Sequence, residues 1–320
     1  MDQMLRRIRS LVQASRPTFS IIIPCFNYAH SLGRALASVA GQSRLLTEPA
    51  RDVLEVIAVD DGSTDDTAAV AERAFDIWFR PHGVRCVLSR QANAGAAVAR
   101  NTGLDEARGV WIWFLDADDE LVYEAMDRIQ AAIDAAGDAT VVFGGLRAFS
   151  TKNGRLTVRE RPAGDVSGDI ETDFVAYLDG QIGTLVPGSA VVRADEANDV
   201  RFVPKCLRSQ DVVFLAQVLA RGRAFAATGV ENIILLSHRH DDSLRRNTDR
   251  MRQAEPYIVP GLFDADKLPP HLLKHRPRFA GRYGLDVSRN YYQNGEWHDA
   301  TRSYLAAVRQ HPRSLGNTRA

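Results

Sequence analysis

Two acidic clusters, Asp60-Asp61-Gly62-Ser63 and Asp116-Ala117-Asp118-Asp119, each follow directly on an apolar run. The runs, 53–59 and 110–115, read as buried strands that end abruptly in carboxylates. Ligands of open α/β sheets bind beyond the carboxyl ends of the strands. Acids at two such ends therefore predict a polar site on one rim, suited to hydroxyl groups and to a hard divalent cation. A sheet gains no stability from acids in that position, so chemistry explains them better.

The elements that must carry these tips alternate in type from residue 19 to about 145. Strands are predicted at 19–23, stopping at Pro24, and at 53–59, 84–88, 110–115 and 140–143. Helices are predicted at 31–40, from Ser63 onward, at 95–107 and at 124–136. Ser63-Thr64-Asp65-Asp66 matches a capping box, with Ser63 and Asp66 serving the free backbone donors. Repeated β-α units of this length imply a mainly parallel, doubly wound α/β sheet with helices on both faces. If the sheet is parallel, Pro24-Cys25-Phe26-Asn27, Asp60-Asp61, Asn93-Ala94-Gly95 and Asp116 to Asp119 share one rim.

After residue 145 the rhythm becomes α+β. Asn153-Gly154 marks a hairpin turn. Helices at 173–178 and 211–220 and strands at 189–192 and 231–236 follow, expected to join the same sheet. The proline-punctuated stretch 256–270 reads as a linker. Beyond it, Tyr291, Ala300, Tyr304, Ala307 and Pro312 are spaced as in one tetratricopeptide helix pair, read as a helical hairpin docked on the body. The expected divisions are a basic segment 1–17, a nucleotide-binding half 18–145, an acceptor-binding half 146–255, and a linker with helical hairpin 256–320.

Composition narrows the class. The 320 residues are 45% hydrophobic and 25% charged, with 40 basic residues against 40 acidic ones, which offers no bulk charge for nucleic acid. Cys25, Cys86 and Cys206 show no disulfide or metal-finger spacing, which fits a reducing, cytoplasmic setting. Cys25 and Cys86 are expected to be buried thiols. No apolar run is long enough to cross a bilayer. Segment 1–17, with Arg6, Arg7, Arg9 and Arg16, reads either as a basic helix on the inner face of a membrane or as a helix or tail against the domain.

The strings SIIIPCFN, EVIAVDDGSTDDT, NAGAAVARNTGLDEARG and WIWFLDADDE come in one order over roughly the first third of the chain. In them the chain resembles the family-two inverting glycosyltransferases of the GT-A fold. That resemblance implies a metal-dependent enzyme moving one sugar from a nucleoside-diphosphate donor, a UDP-sugar by expectation, to a glycan or lipid-linked acceptor in bacterial surface polysaccharide synthesis. It assigns the donor to Pro24, Phe26, Asp61, Asn93, Arg100 and Asp116, with Asp61 taking the imide hydrogen of the base. An ion pair with Asp105 is the plainer alternative for Arg100. Asp116 and Asp118 match the family's Asp-x-Asp motif. Mn2+ or Mg2+ is assigned to Asp116, Asp118, Asp119 and His240, without a division of labour among them.

The family carries Glu-Asp where this chain has Gln210-Asp211. Asp211 is thereby assigned as the base that takes the acceptor's proton, against the plainer role of helix cap. The processive members' Gln-x-x-Arg-Trp motif and membrane helices are missing. Two other readings stand beside this one. A nucleotidyltransferase would need a glycine-rich phosphate loop after the first strand, and Pro24 to Tyr28 has none. A catalytically inactive nucleotide-sugar-binding scaffold would not need Asp61, Asp116, Asp118 and Asp211 intact.

Overall fold

The computed structural model describes residues 16–152, 155–183, 185–239 and 248–312. Its main sheet has seven strands in the order β10-β6-β9-β4-β1-β2-β3. The four strands of the first half are β1 (Phe19–Cys25), β2 (Leu54–Asp60), β3 (Cys86–Arg90) and β4 (Trp111–Phe114). All four are parallel. β6 (Val141–Phe143), β9 (Ala190–Arg193) and β10 (Phe225–Ala227) extend the sheet on the β4 side, and β9 alone runs against the rest.

Strands covered on both faces read as unbroken apolar runs. In β1, Ile22 points into one buried cluster with Ile57 and Phe114, while Ile21 and Ile23 enter another with Val56 and Trp113. The first of these clusters continues through Phe174, Phe214 and Phe279, so one core joins the first half to the second. Helix α3 (Ala96–Glu106) lies close on β1 because Gly103 has no side chain: a Cβ there would sit 2.3 Å from Ile22 Cγ2.

Several details differ from the sequence reading. β1 does not stop at Pro24. Cys25 C=O accepts from Asp61 N–H on the β2 side, so the Pro24 nitrogen points the other way, toward β4. The last β1–β4 pair is Ile22–Phe114, so no ladder donor is needed at Pro24. The capping box is not formed. Helix α2 (Thr67–Ala74) begins after Asp66 with no side-chain cap, and Asp65 Oδ1 instead accepts from Thr67 N–H at 3.0 Å. Cys25 is buried, whereas Cys86, on the edge strand β3, is only half-buried.

The second half contributes β9 and β10 to the main sheet, and its other strands join β5 of the first half in a separate four-stranded sheet, β5-β11-β7-β8. These are β5 (Glu120–Leu121), β7 (Gly145–Lys152), β8 (Arg155–Arg161) and β11 (Ile233–Arg239). β7 and β8 pair antiparallel to Lys152–Arg155, and the turn residues Asn153 and Gly154 lie outside the described residues. The stretch expected as a linker is helical as far as Leu262, within α7 (Thr248–Leu262), despite internal Pro256 and Pro260. Burial of Met251, Ala254, Ile258 and Leu262 along one face offsets the lost backbone bonds.

Helices α8 (Arg276–Gln293) and α9 (Trp297–Gln310) form the expected C-terminal hairpin. It docks through a small cluster of Met251, Val287, Tyr291 and Ala300, and through Arg252, which bonds Glu296 and Asp299. Among the described residues no helix is long and apolar enough to cross a membrane. The expected membrane contact of segment 1–17 falls almost wholly outside the described residues.

Candidate active site

The tips of β1, β2, β3 and β4 lie side by side. Asp60, fully buried, accepts from Ser63 N–H at 2.9 Å and pairs with Arg90 at 3.2 Å. It shapes the turn and is not offered to a ligand. Asp61 is also buried. Its Oδ1 accepts from Gln91 Nε2 at 2.7 Å and Ala94 N–H at 2.9 Å, and its Oδ2 from Gly95 N–H at 2.7 Å. A carboxylate has about four acceptor positions, so Asp61 keeps one for a further donor. Gly62, at φ +79°, lets the two loops touch, since a Cβ would lie 2.9 Å from Asn93 N. Asn93 itself is exposed beside Asp61.

The loop after β1 is fixed by that same β2 loop. Asn27 N–H donates to Ser63 Oγ, and Asn27 Oδ1 accepts from Thr64 N–H, both at 2.9 Å. These bonds hold Asn27 at φ +59°, in the left-handed region where asparagine is tolerated. Pro24 is buried inside β1, and Phe26 stands 42% exposed just beyond it.

The β4 tip gathers the charge. Arg100, on α3 and 6% exposed, donates through Nη2 to Asp116 Oδ1 at 2.7 Å. The alternative partner, Asp105, instead pairs with Arg201 at 2.9 Å. Arg100 also lies over the Phe202 ring at 5.4 Å, and its Nε is buried with no hydrogen-bond partner. Asp119 is buried and accepts from His238 N–H at 2.8 Å. Burial, together with the charges of Asp116 and Asp118, pushes its carboxyl well above the usual range. Asp116 thus has the Arg100 guanidinium, while its charge and that of Asp118 bear on buried Asp119.

Three residues that the sequence reading missed surround this turn. Tyr28 is held protonated by burial and by the fields of Asp118, Asp116 and Asp119. Arg34 donates to Asp118 C=O at 3.0 Å and pairs with Glu120 at 2.8 Å. His238 meets Glu120 Oε1 at 2.7 Å and stacks on Phe149. Glu120 and His238 are far apart in the chain, and only the β5–β11 pairing brings them together. His240 lies outside the described residues.

Asp211 stands in the first turn of α6 (Gln210–Arg221), after Ser209 at φ +55°. Ser209 makes no side-chain cap. The charge of Asp211 reaches buried Tyr177 and, after burial, adds to the rise of its hydroxyl pKa. One turn further on the same face, Phe214 stacks on Phe202 and packs edge-on against Phe114, two residues before Asp116. The aromatic contacts bring the start of α6 to the neighbourhood of the acidic turn.

Among the described residues no three His, Cys, Asp or Glu side chains form a ready-made metal cage. Mg2+-type sites commonly use only one or two carboxylates and fill the remaining positions with substrate phosphate and water. Like-charged Asp116, Asp118 and buried Asp119 fit such an ion.

Residues 20–200 match the family model described as glycosyl transferase family 2. A PGL/p-HBAD biosynthesis glycosyltransferase of Mycobacterium bovis is 38% identical over 138 residues, covering 42% of this chain and 49% of that protein. The match thus spans about half of that relative's length. Succinoglycan biosynthesis protein ExoU of Rhizobium meliloti is 29% identical over 290 residues, 85% of this chain and 78% of that one. The mannosyltransferase PcManGT of Pyrobaculum calidifontis, solved with GDP-Man and Mn2+, superposes with TM-score 0.55 at 19% identity, over 94% of this chain and 78% of that one. The fold is the expected GT-A type, doubly wound, with a helical hairpin at its end.

Proposed function

The chain belongs to glycosyl transferase family 2, and on that premise we propose that it is a metal-dependent inverting glycosyltransferase. It moves one sugar from a nucleoside-diphosphate donor, a UDP-sugar, to a glycan or lipid-linked acceptor in bacterial surface polysaccharide synthesis. The observation that carries this reading is the crowding of Asp116, Asp118 and buried Asp119 at the β4 tip, where Arg100 bonds Asp116. The name of the succinoglycan relative supports the acceptor class, and the Mn2+ and GDP-Man of the mannosyltransferase support a divalent ion and a nucleotide sugar.

The roles are those the motifs imply, supported for the described residues by where they lie. Asp61 offers its remaining acceptor site to the imide hydrogen of the base, with Asn93 and Phe26 exposed beside it. Arg100 fixes the Asp116 carboxylate toward the donor. Asp116 and Asp118, with Asp119 behind them, hold Mn2+ or Mg2+, and His240 adds a contact to the ion. When bound, that ion supplies Lewis-acid stabilisation of the leaving diphosphate. Asp211 takes the proton of the acceptor hydroxyl as it attacks the anomeric carbon from the opposite face. Tyr28, kept protonated, is a hydroxyl donor available beside the acids.

Donor hydrolysis across a panel of nucleoside-diphosphate sugars tests this, with Mn2+ and after exhaustive chelation. Turnover should require the ion and fall to background in Asp118→Asn, which should melt like the wild type. Full turnover in the chelated protein would remove the metal from the reading.

A further inference from the structure

At the opposite end of β1 to β4 the sign of the charge is reversed. A cavity of about 570 Å3 there is lined by Arg16, Arg51, Arg85 and Arg108, with Glu55 the single acid among its lining residues. Leu54 and Glu55 open β2, Arg85 immediately precedes β3, and Arg108 precedes β4, so the cavity lies across the sheet from the acidic turn. Its size falls within the range of small-ligand sites.

Glu55 is already satisfied. It accepts from Ser20 Oγ and Arg85 Nη1 at 2.6 Å, from Arg108 N–H at 2.5 Å and from Gly109 N–H at 3.1 Å. Arg85 is spent on Glu55 and on Glu106 at 3.1 Å. The other three guanidinium groups are not matched in this way. Arg16 donates to the neutral carbonyls of Arg108 and Gly109, with Asp195 only at 3.8 Å. Arg51 has Asp52 at 3.7 Å, both largely exposed. The Arg108 guanidinium has no acidic partner among the described residues. Planar, permanently charged guanidinium groups lining one cavity suit carboxylate and phosphate oxygens, and a phosphate offers more acceptors to several of them at once.

We propose that this cavity binds a phosphate group, separate from the donor diphosphate, carried by a phospholipid headgroup or by a soluble phosphate. The proposal does not depend on the transferase reading, and its test uses neither donor nor divalent ion. The full chain, in chelator and at fixed ionic strength, is titrated with inorganic phosphate by thermal shift. It is also sedimented with phosphatidylglycerol and with phosphatidylcholine vesicles. The comparison variants are Arg51→Gln/Arg108→Gln and the charge-retaining Arg51→Lys/Arg108→Lys.

Losing the two guanidinium groups should weaken phosphate binding roughly a hundred-fold, about ten-fold for each charge-assisted contact, and the lysine pair should lose less. A phosphate shift that disappears in the glutamine pair assigns a soluble phosphate. Sedimentation with phosphatidylglycerol alone, lost in the same pair, assigns a headgroup. No response to either probe overturns the proposal, as does an equal response in wild type and glutamine pair, which would move the binding to another part of the chain. Should the glutamine pair fail to fold, Arg108→Glu alone, at an exposed position, carries the same comparison.

Discussion

Two ends of one sheet handle buried acids in opposite ways. Glu55, at the start of β2, is fully buried, and a hydroxyl, an arginine and two backbone N–H groups meet its charge. Asp119, beyond the end of β4, is buried beside two further carboxylates, and its proton is held well above the usual range. The first arrangement is complete within the chain. The second sets like charges against one another, which a bound ion would offset. Buried charge that is paired internally belongs to stability, and buried charge that is left in conflict marks a site where the fold gives up stability for chemistry.

If that contrast holds, changes at the acidic rim should cost activity without stability, and changes at Glu55 the reverse. The largest effect is expected from Asp211→Asn, which keeps the shape of the side chain but removes the proton acceptor. Transfer should fall about a hundred- to ten-thousand-fold, the usual contribution of a general base. Melting temperature and donor affinity should stay near wild type. A variant that transfers sugar at near-normal rate would leave Asp211 a helix-end residue and break the comparison on the side of function.

Next in size is Glu55→Ala. Removing the acid leaves Arg108 N–H and the Ser20 hydroxyl without their acceptor and takes from Arg85 its buried partner, and breaking a buried pair typically costs about 3 kcal/mol. Denaturant unfolding should show that loss, while the protein that remains folded binds donor normally. A loss of donor binding without a loss of stability would invert the contrast.

The smallest effect concerns Asp119→Asn in metal-free protein. The folded-state pKa of Asp119 is raised, so the native protein holds a proton that the unfolded chain has released. Wild-type stability should therefore be intact at low pH and fall as pH rises from the ordinary carboxyl range through the raised value. Asparagine still accepts from His238 N–H and has nothing to ionise. The variant's melting temperature should overtake wild type across that window, and parallel melting curves at every pH would mean that Asp119 carries no such strain.

Much of the rim could be read from local pattern, because each acidic tip follows its own strand directly in sequence. Asp61 and Asn93 could be placed on one rim for that reason, although the bonds from Asp61 to the 91–95 loop depend on two loops folding together. Tyr28 gave no signal, since its relation to Asp116 and Asp118 exists only once β1 and β4 pair. The Glu120–His238 contact was hidden in the same way by the β5–β11 ladder. The missed bond from Thr67 N–H to Asp65 is a different error: the spacing suited Ser63, but the Ser63 hydroxyl accepts from Asn27 N–H. The second sheet was unreadable because strand period reports which faces are buried and not which strands become neighbours. Proline in 256–262 suggested a linker, and the apolar spacing of Met251, Ala254, Ile258 and Leu262 proved the stronger cue.

The one reversed strand of the main sheet, β9, carries a consequence for how the chain is made. β4 pairs with β1 on one side as soon as residue 114 is available, but its other side waits for β9, which begins at Ala190. At typical rates of synthesis that interval lasts on the order of several seconds. Throughout it the nascent sheet presents an open edge at Trp111, Ile112 and Trp113, the kind of edge along which unfinished chains stick to one another. The seam where the second half of the molecule closes on the first is thus also an edge that the unfinished chain must keep from its neighbours.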